Sequence, residues 1–219
     1  MAKTHSAPTA STAGTSSTPS TTSSDNEPSP PAPIKQYNIT RAKYWSYKNL
    51  TLTDSSTSQP VYTATTTVSL STTPQINLHS PSTPSQTLAA IRLTHSKNLL
   101  YKLGPEIDCT PKVEWSKAVS ESKLGRCVRF EVGGKVYRWK RTHKREWGAR
   151  RWSDRCFKMV EGEGGEARVV MVYVTGNVLR GLEVGRVLVF EEVDAKMEVV
   201  GLAVGLAVGL GVVERVRKD

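Results

Sequence analysis

The sequence predicts a mainly β protein, a closed antiparallel β-barrel of about ten to twelve strands around a central apolar C-terminal α-helix. Three observations carry this. Short runs rich in Val, Thr, Leu and aromatic residues, separated by Gly, Pro and Ser, recur between positions 37 and 193, and many short strands with frequent turns indicate a sandwich or barrel. Every residue from 199 to 213 is Gly, Ala, Val or Leu, so a helix there has no polar face and must be buried all round. Gly201, Gly205 and Gly209 recur at every fourth position, which gathers them into one stripe of a helix. A thin helix suits a barrel interior that side chains of limited size must fill.

Taken in order, residues 1–33 are mostly Ser, Thr, Pro and Ala. They bury too little apolar surface to fold, and a disordered tail is expected. Lys3 is the one Lys or Arg before Lys35 and no apolar run precedes it, so neither a secretory nor a mitochondrial leader is expected. Residues 34–219 then form the barrel domain. Residues 44–47 bring Tyr, Trp and Tyr, residues 50–53 alternate Leu and Thr, and residues 61–70 are rich in Thr and Val, all with strand propensity. Residues 75–79, 88–93 and 99–103 are further short strands.

The clearest hairpin lies at Gly133 and Gly134, a two-residue loop that accepts positive φ. Pairing outward sets Val132 against Lys135, Phe130 against Tyr137 and Val128 against Trp139. The other face carries Arg129, Glu131, Arg138 and Lys140, the alternation of a sheet with one buried and one wet side. Residues 156–160, 167–174 and 187–193 follow as strands, with a Gly/Glu loop at 161–166. Asp194 is placed to cap the final helix, expected over about 195–217. Each interior Gly costs roughly 1 kcal/mol against Ala, so close packing must offset the helix glycines.

The order of these elements resembles the tubby C-terminal-like superfamily, which includes tubby, the phospholipid scramblases, the LURP-one-related proteins and fungal proteins of unknown function. The likeness rests on residues 134–139, 156–160, 169–174, 185–190 and 199–213, and it spans roughly residues 37–217. The fungal members look most similar. The resemblance implies a closed barrel of about a dozen strands threaded by the terminal helix. It is one of element order and spacing, and the lipid-binding motifs of tubby are absent, so it assigns no individual functional residue.

Thirty Lys and Arg against 20 Asp and Glu give a net charge of +10, a balance that favours anionic partners. The excess is local. Residues 135–158 hold ten cations against Glu146 and Asp154, interleaved with Trp139, Trp147 and Trp152. Arg binds phosphate through a planar fork, and Trp suits an interface with one apolar and one polar side. The candidate anion-binding residues are Arg138, Lys140, Arg141, Lys144, Arg145, Trp147, Arg150, Arg151, Trp152 and Arg155. An acidic phospholipid surface is the expected partner, with nucleic acid second because phosphates and bases satisfy the same chemistry. A third reading puts residues 199–213 in lipid as a tail anchor. That run has 15 residues where a span needs about 20.

Catalysis is not expected. His5, His79, His95 and His143 lie far apart, and Cys156 with His143 has no third residue marked to orient the base. Cys109, Cys127 and Cys156 lack metal-ligand spacing, so no metal and no cofactor are expected. Their odd number fits reduced thiols and a cytoplasmic protein, free or peripheral at a membrane.

Overall fold

The computed structural model describes residues 31–43, 46–67, 76–94, 98–104, 114–122, 127–148, 156–162, 167–176 and 181–210. Their strands are β1 (Lys35–Lys43), β2 (Ser46–Asp54), β3 (Pro60–Thr66), β4 (Ile76–His79), β5 (Thr87–Leu93), β6 (Leu99–Leu103), β7 (Ser116–Ser120), β8 (Cys127–Val132), β9 (Lys135–Thr142), β10 (Cys156–Glu161), β11 (Arg168–Thr175) and β12 (Glu183–Val189), followed by helix α1 (Ala195–Gly209). Each strand pairs antiparallel with the next, and β1 pairs with β12 to close the barrel. Closure leaves no unpaired edge, the feature that makes open sheets prone to aggregation. Residues 1–30 and 211–219 lie outside the described residues, and with them most of the expected tail and the last part of the helix expected over about 195–217.

Alternation sets the barrel wall. Tyr37, Ile39 and Arg41 are buried on β1, and Tyr137 and Trp139 on β9, while the residues between them are partly open. The β8–β9 hairpin pairs Val132 with Lys135, Phe130 with Tyr137 and Val128 with Trp139, as expected. Both loop glycines have positive φ, at 60° and 77°, which is what a two-residue turn matching the strand twist requires. Strand β7 is not among the expected strands, because Ser116–Ser120 holds only Ala and Val as apolar residues. Strand β12 ends at Val189 rather than 193, since the chain turns there toward the helix cap.

Helix α1 runs inside the barrel. Met197 to Gly209 are all buried, and α1 contacts β4, β5, β6, β8, β10 and β11. The tail-anchor reading of residues 199–213 is thus corrected: the wall of strands, not lipid, covers the described part of this run. No helix among the described residues is long and apolar enough to cross a membrane. Asp194 caps the helix, its carboxylate accepting from Met197 N at 2.9 Å.

The glycine stripe meets the largest interior side chains. A Cβ on Gly205 would lie 2.7 Å from the Trp139 ring and one on Gly209 2.5 Å from the Tyr173 ring. Trp139 is held in place, its Nε1 donating to Gly201 O at 3.2 Å. Small inward residues on other strands, Ala64, Ala89 and Ala118, leave room for α1, so large and small residues complement each other around the interior.

One charge is buried with the helix. Glu198 is 4% exposed. It accepts from the Tyr37 hydroxyl at 2.5 Å, the Tyr62 hydroxyl at 3.3 Å and Lys35 Nζ at 2.8 Å. These contacts pin the first turn of α1 to β1 and β3. Burial, then the adjoining carboxylate, raises both tyrosines well above the usual phenol range.

Candidate functional site

The basic segment occupies β9, a one-turn 3₁₀ helix at Arg145–Trp147 and β10. Here the structure sorts the sequence-predicted residues into distinct environments. Arg150, Arg151, Trp152 and Arg155 lie outside the described residues.

Arg138 is engaged within the wall. Its Nε lies 3.2 Å from the Glu121 carboxylate and its Nη1 donates to Gly162 O at 3.0 Å. Lys144 is exposed and pairs with Glu146 at 3.2 Å. At the far end of the hairpin Lys135 pairs with Glu161 at 3.0 Å, and Arg168 joins the same carboxylate at 2.8 Å. Partial burial would raise the Glu161 pKa, but the two cations outweigh it and hold the carboxyl below its ordinary value.

Lys140 and Lys158 are different. They stand directly opposite each other on β9 and β10, on the outer side of the wall, and both are half-buried. Neither has an ion-pair or hydrogen-bonding side-chain partner among the described residues. Like charges directly opposite in a sheet are destabilising, so this pair is an electrostatic defect that an anion would relieve. Arg145 is exposed in the β9–β10 connection and likewise has no such partner among the described residues. Arg141 lies two residues beyond Trp139 and opposite the buried Phe157, which places it on the inner side of β9 at the barrel mouth. Its Nε is buried with no hydrogen-bond partner among the described residues.

Trp147 departs from its expected role at a membrane interface. It is 9% exposed and packs edge-on against Phe190 at 5.2 Å. With Cys156, Val172 and Val174 it forms an apolar cluster on the outside of β10–β12. The reason is legible in β11, where Val170 to Val174 are all buried. A strand apolar on both faces needs cover outside as well as inside, and Trp147 supplies part of it.

Neither described cysteine offers an activated thiol. Cys156 is fully buried. Burial and the Glu121 carboxylate, whose Oε2 lies 3.2 Å from the sulfur, push the Cys127 thiol up to about 11, where little thiolate exists at neutral pH. No group of His, Cys, Asp and Glu among the described residues is arranged to hold a metal ion.

The sheet order also reveals cations that sequence proximity conceals. Strand direction alternates around the barrel, so the β1–β2 and β9–β10 connections open at the same end. Lys43 and Lys48 therefore share that end with Lys144 and Arg145, and all four are exposed. Nothing in the linear sequence joins positions 43 and 145.

No family model matches the chain, and no curated protein matches it. Among solved structures, the X-ray structure of a protein from Arabidopsis thaliana aligns with 86% of this chain and 94% of its own, with a TM-score of 0.43 and 13% sequence identity.

Proposed function

We propose that the chain is a non-enzymatic, tubby-like binding domain that engages anionic lipid or phosphate surfaces through the outer wall and loop of β9–β10. The superfamily reading draws on the closed twelve-strand barrel with its C-terminal helix as core. The observation that carries the binding reading is the Lys140–Lys158 pair. On β8 and β9 the neighbouring cations meet carboxylates: Arg129 and Arg138, themselves opposite each other, share Glu121, and Lys135 meets Glu161. Lys140 and Lys158 face one another instead.

The test is co-sedimentation with vesicles of phosphatidylcholine, with and without phosphatidylserine, beside a DNA and RNA shift assay. Replacing Lys140, Lys158 and Arg145 together by Ala should lower affinity for the acidic vesicles roughly a hundredfold, at about 1 kcal/mol per cation near the surface, while the melting curve stays cooperative. Binding of nucleic acid without binding of acidic vesicles would replace this reading by the nucleic-acid one. Binding of neither would leave the segment a solvated face.

A further inference from the structure

The barrel is electrically polarised along its own axis. At the end where α1 finishes, Lys43 and Lys48 border the β1–β2 connection, and Lys144 and Arg145 lie beyond β9, all exposed. At the end where α1 begins, Glu114, Glu131, Glu192 and Asp194 are exposed among the described residues, beside Lys35, Lys117, Lys135, Arg168 and Lys196; of these cations Lys35 is taken up by Glu198, and Lys135 and Arg168 by Glu161. The helix macrodipole has the complementary sense, positive at its N-terminus and negative at its C-terminus. In the ring of strands β2 and β9 are five steps apart of twelve, so the two groups of cations lie on nearly opposite sides of one mouth.

We infer that the protein docks end-on, with the mouth at the C-terminal end of α1 against the surface of an acidic phospholipid bilayer. This rests on the proposed function and deepens it by adding Lys43 and Lys48 and by fixing the orientation. A flat anionic surface against this mouth meets cations on both sides at once, with Lys140 and Lys158 close to its rim, two residues from the end of β9 and the start of β10; a side-on approach to that wall reaches one side alone. Leu182, 48% exposed, lies in the β11–β12 connection at this same end. An exposed leucine beside lysines suits the boundary between headgroups and acyl chains and gives nothing to a phosphate backbone. Ile34 and Leu103 are exposed at the other end, which the acidic residues there turn away from an anionic membrane. Among the described residues Glu121 and Glu183 are the exposed carboxylates at the basic mouth; Glu121 is held by Arg129 and Arg138, and Glu146 by Lys144.

The experiment compares two double charge reversals in the full chain, Lys43→Glu with Lys48→Glu at the basic mouth and Lys117→Glu with Lys196→Glu at the opposite end. Both change the net charge equally. The probe is vesicles of phosphatidylcholine containing phosphatidylserine, with thermal melting to confirm that each variant folds. The mouth variant should lose at least tenfold in affinity and the opposite-end variant less than twofold. Equal losses in both would mean that binding follows net charge, and no loss in the mouth variant would mean a side-on approach; either result overturns the orientation and leaves the proposed function standing. If the unaltered chain ignores acidic vesicles, or binds nucleic acid in their place, the proposed function and the orientation fall together.

Discussion

Three helix glycines look alike in sequence and differ in what surrounds them. An Ala at 205 would press its Cβ to 2.7 Å from the Trp139 ring, and one at 209 to 2.5 Å from Tyr173. Both rings are fully enclosed. Overpacking of this kind costs about 1–3 kcal/mol, which exceeds the roughly 1 kcal/mol that Ala gains over Gly in a helix. Gly205→Ala and Gly209→Ala should therefore lower the midpoint of chemical denaturation. At 201 the nearest atoms are the Met171 sulfur at 3.2 Å and the end of Met159 at 3.4 Å. Methionine yields easily, so Gly201→Ala should leave the midpoint unchanged or raise it. A uniform response at the three positions would contradict this packing. The Glu198 cluster makes a second residue-scale prediction. Tyr37→Phe removes a short hydrogen bond to a buried carboxylate and should cost about 1–3 kcal/mol. The folded-state pKa values of Tyr37 and Tyr62 are raised. The stability they contribute is fully present below the unfolded phenol value of about 10 and is lost as pH climbs above it. Stability should thus fall on the alkaline side, and replacing both tyrosines by Phe should make that fall shallower. An identical alkaline slope in the double variant would count against the cluster.

At the scale of elements, α1 is the piece the barrel is built around, and the chain makes it last. A barrel deprived of it has an apolar interior with nothing inside, so a protein ending at residue 194 should show no cooperative thermal transition. A truncated protein that melts near the full-length one would refute the central-helix core. The helix is legible in the sequence because a run of Gly, Ala, Val and Leu with no polar face has few places to go. The β8–β9 hairpin is equally legible, its register fixed by Gly133 and Gly134 and by the match of Phe130 to Tyr137. Strand β7 is not. Ser116–Ser120 is paired on both sides, yet its sequence alternates too few apolar residues to show that pairing. Trp147 misleads for a related reason. Its neighbours in sequence are charged, while its neighbours in space, Val172 and Phe190, lie more than twenty residues away along the chain.

For the whole molecule the governing quantity is how a net charge of +10 is distributed over the barrel. Its concentration between positions 135 and 158 is visible in the sequence. Which cations are already engaged is not, because Glu121 and Glu161 reach Arg138 and Lys135 only through the sheet. The Lys140–Lys158 opposition also needs the β9–β10 register to be seen. That opposition makes stability and binding pull in different directions. Lys158→Glu converts a like-charged cross-strand pair into an opposite-charged one, and such pairs contribute about 0.2–1 kcal/mol. The variant should therefore melt higher than the unaltered protein. It should also bind acidic vesicles more weakly, having exchanged a cation for a carboxylate on the proposed contact wall. Added salt should act with the same opposed signs on the unaltered chain. Screening within about 8 Å at physiological ionic strength relieves repulsion among the cations and so steadies the fold, while it weakens attraction to the membrane. Paired measurements of melting temperature and vesicle affinity, on both proteins and across a salt series, test this directly. A Lys158→Glu protein that loses stability would show that the two lysines do not repel across the strands as the register requires. One that gains stability yet keeps its full affinity would remove Lys158 from the binding surface.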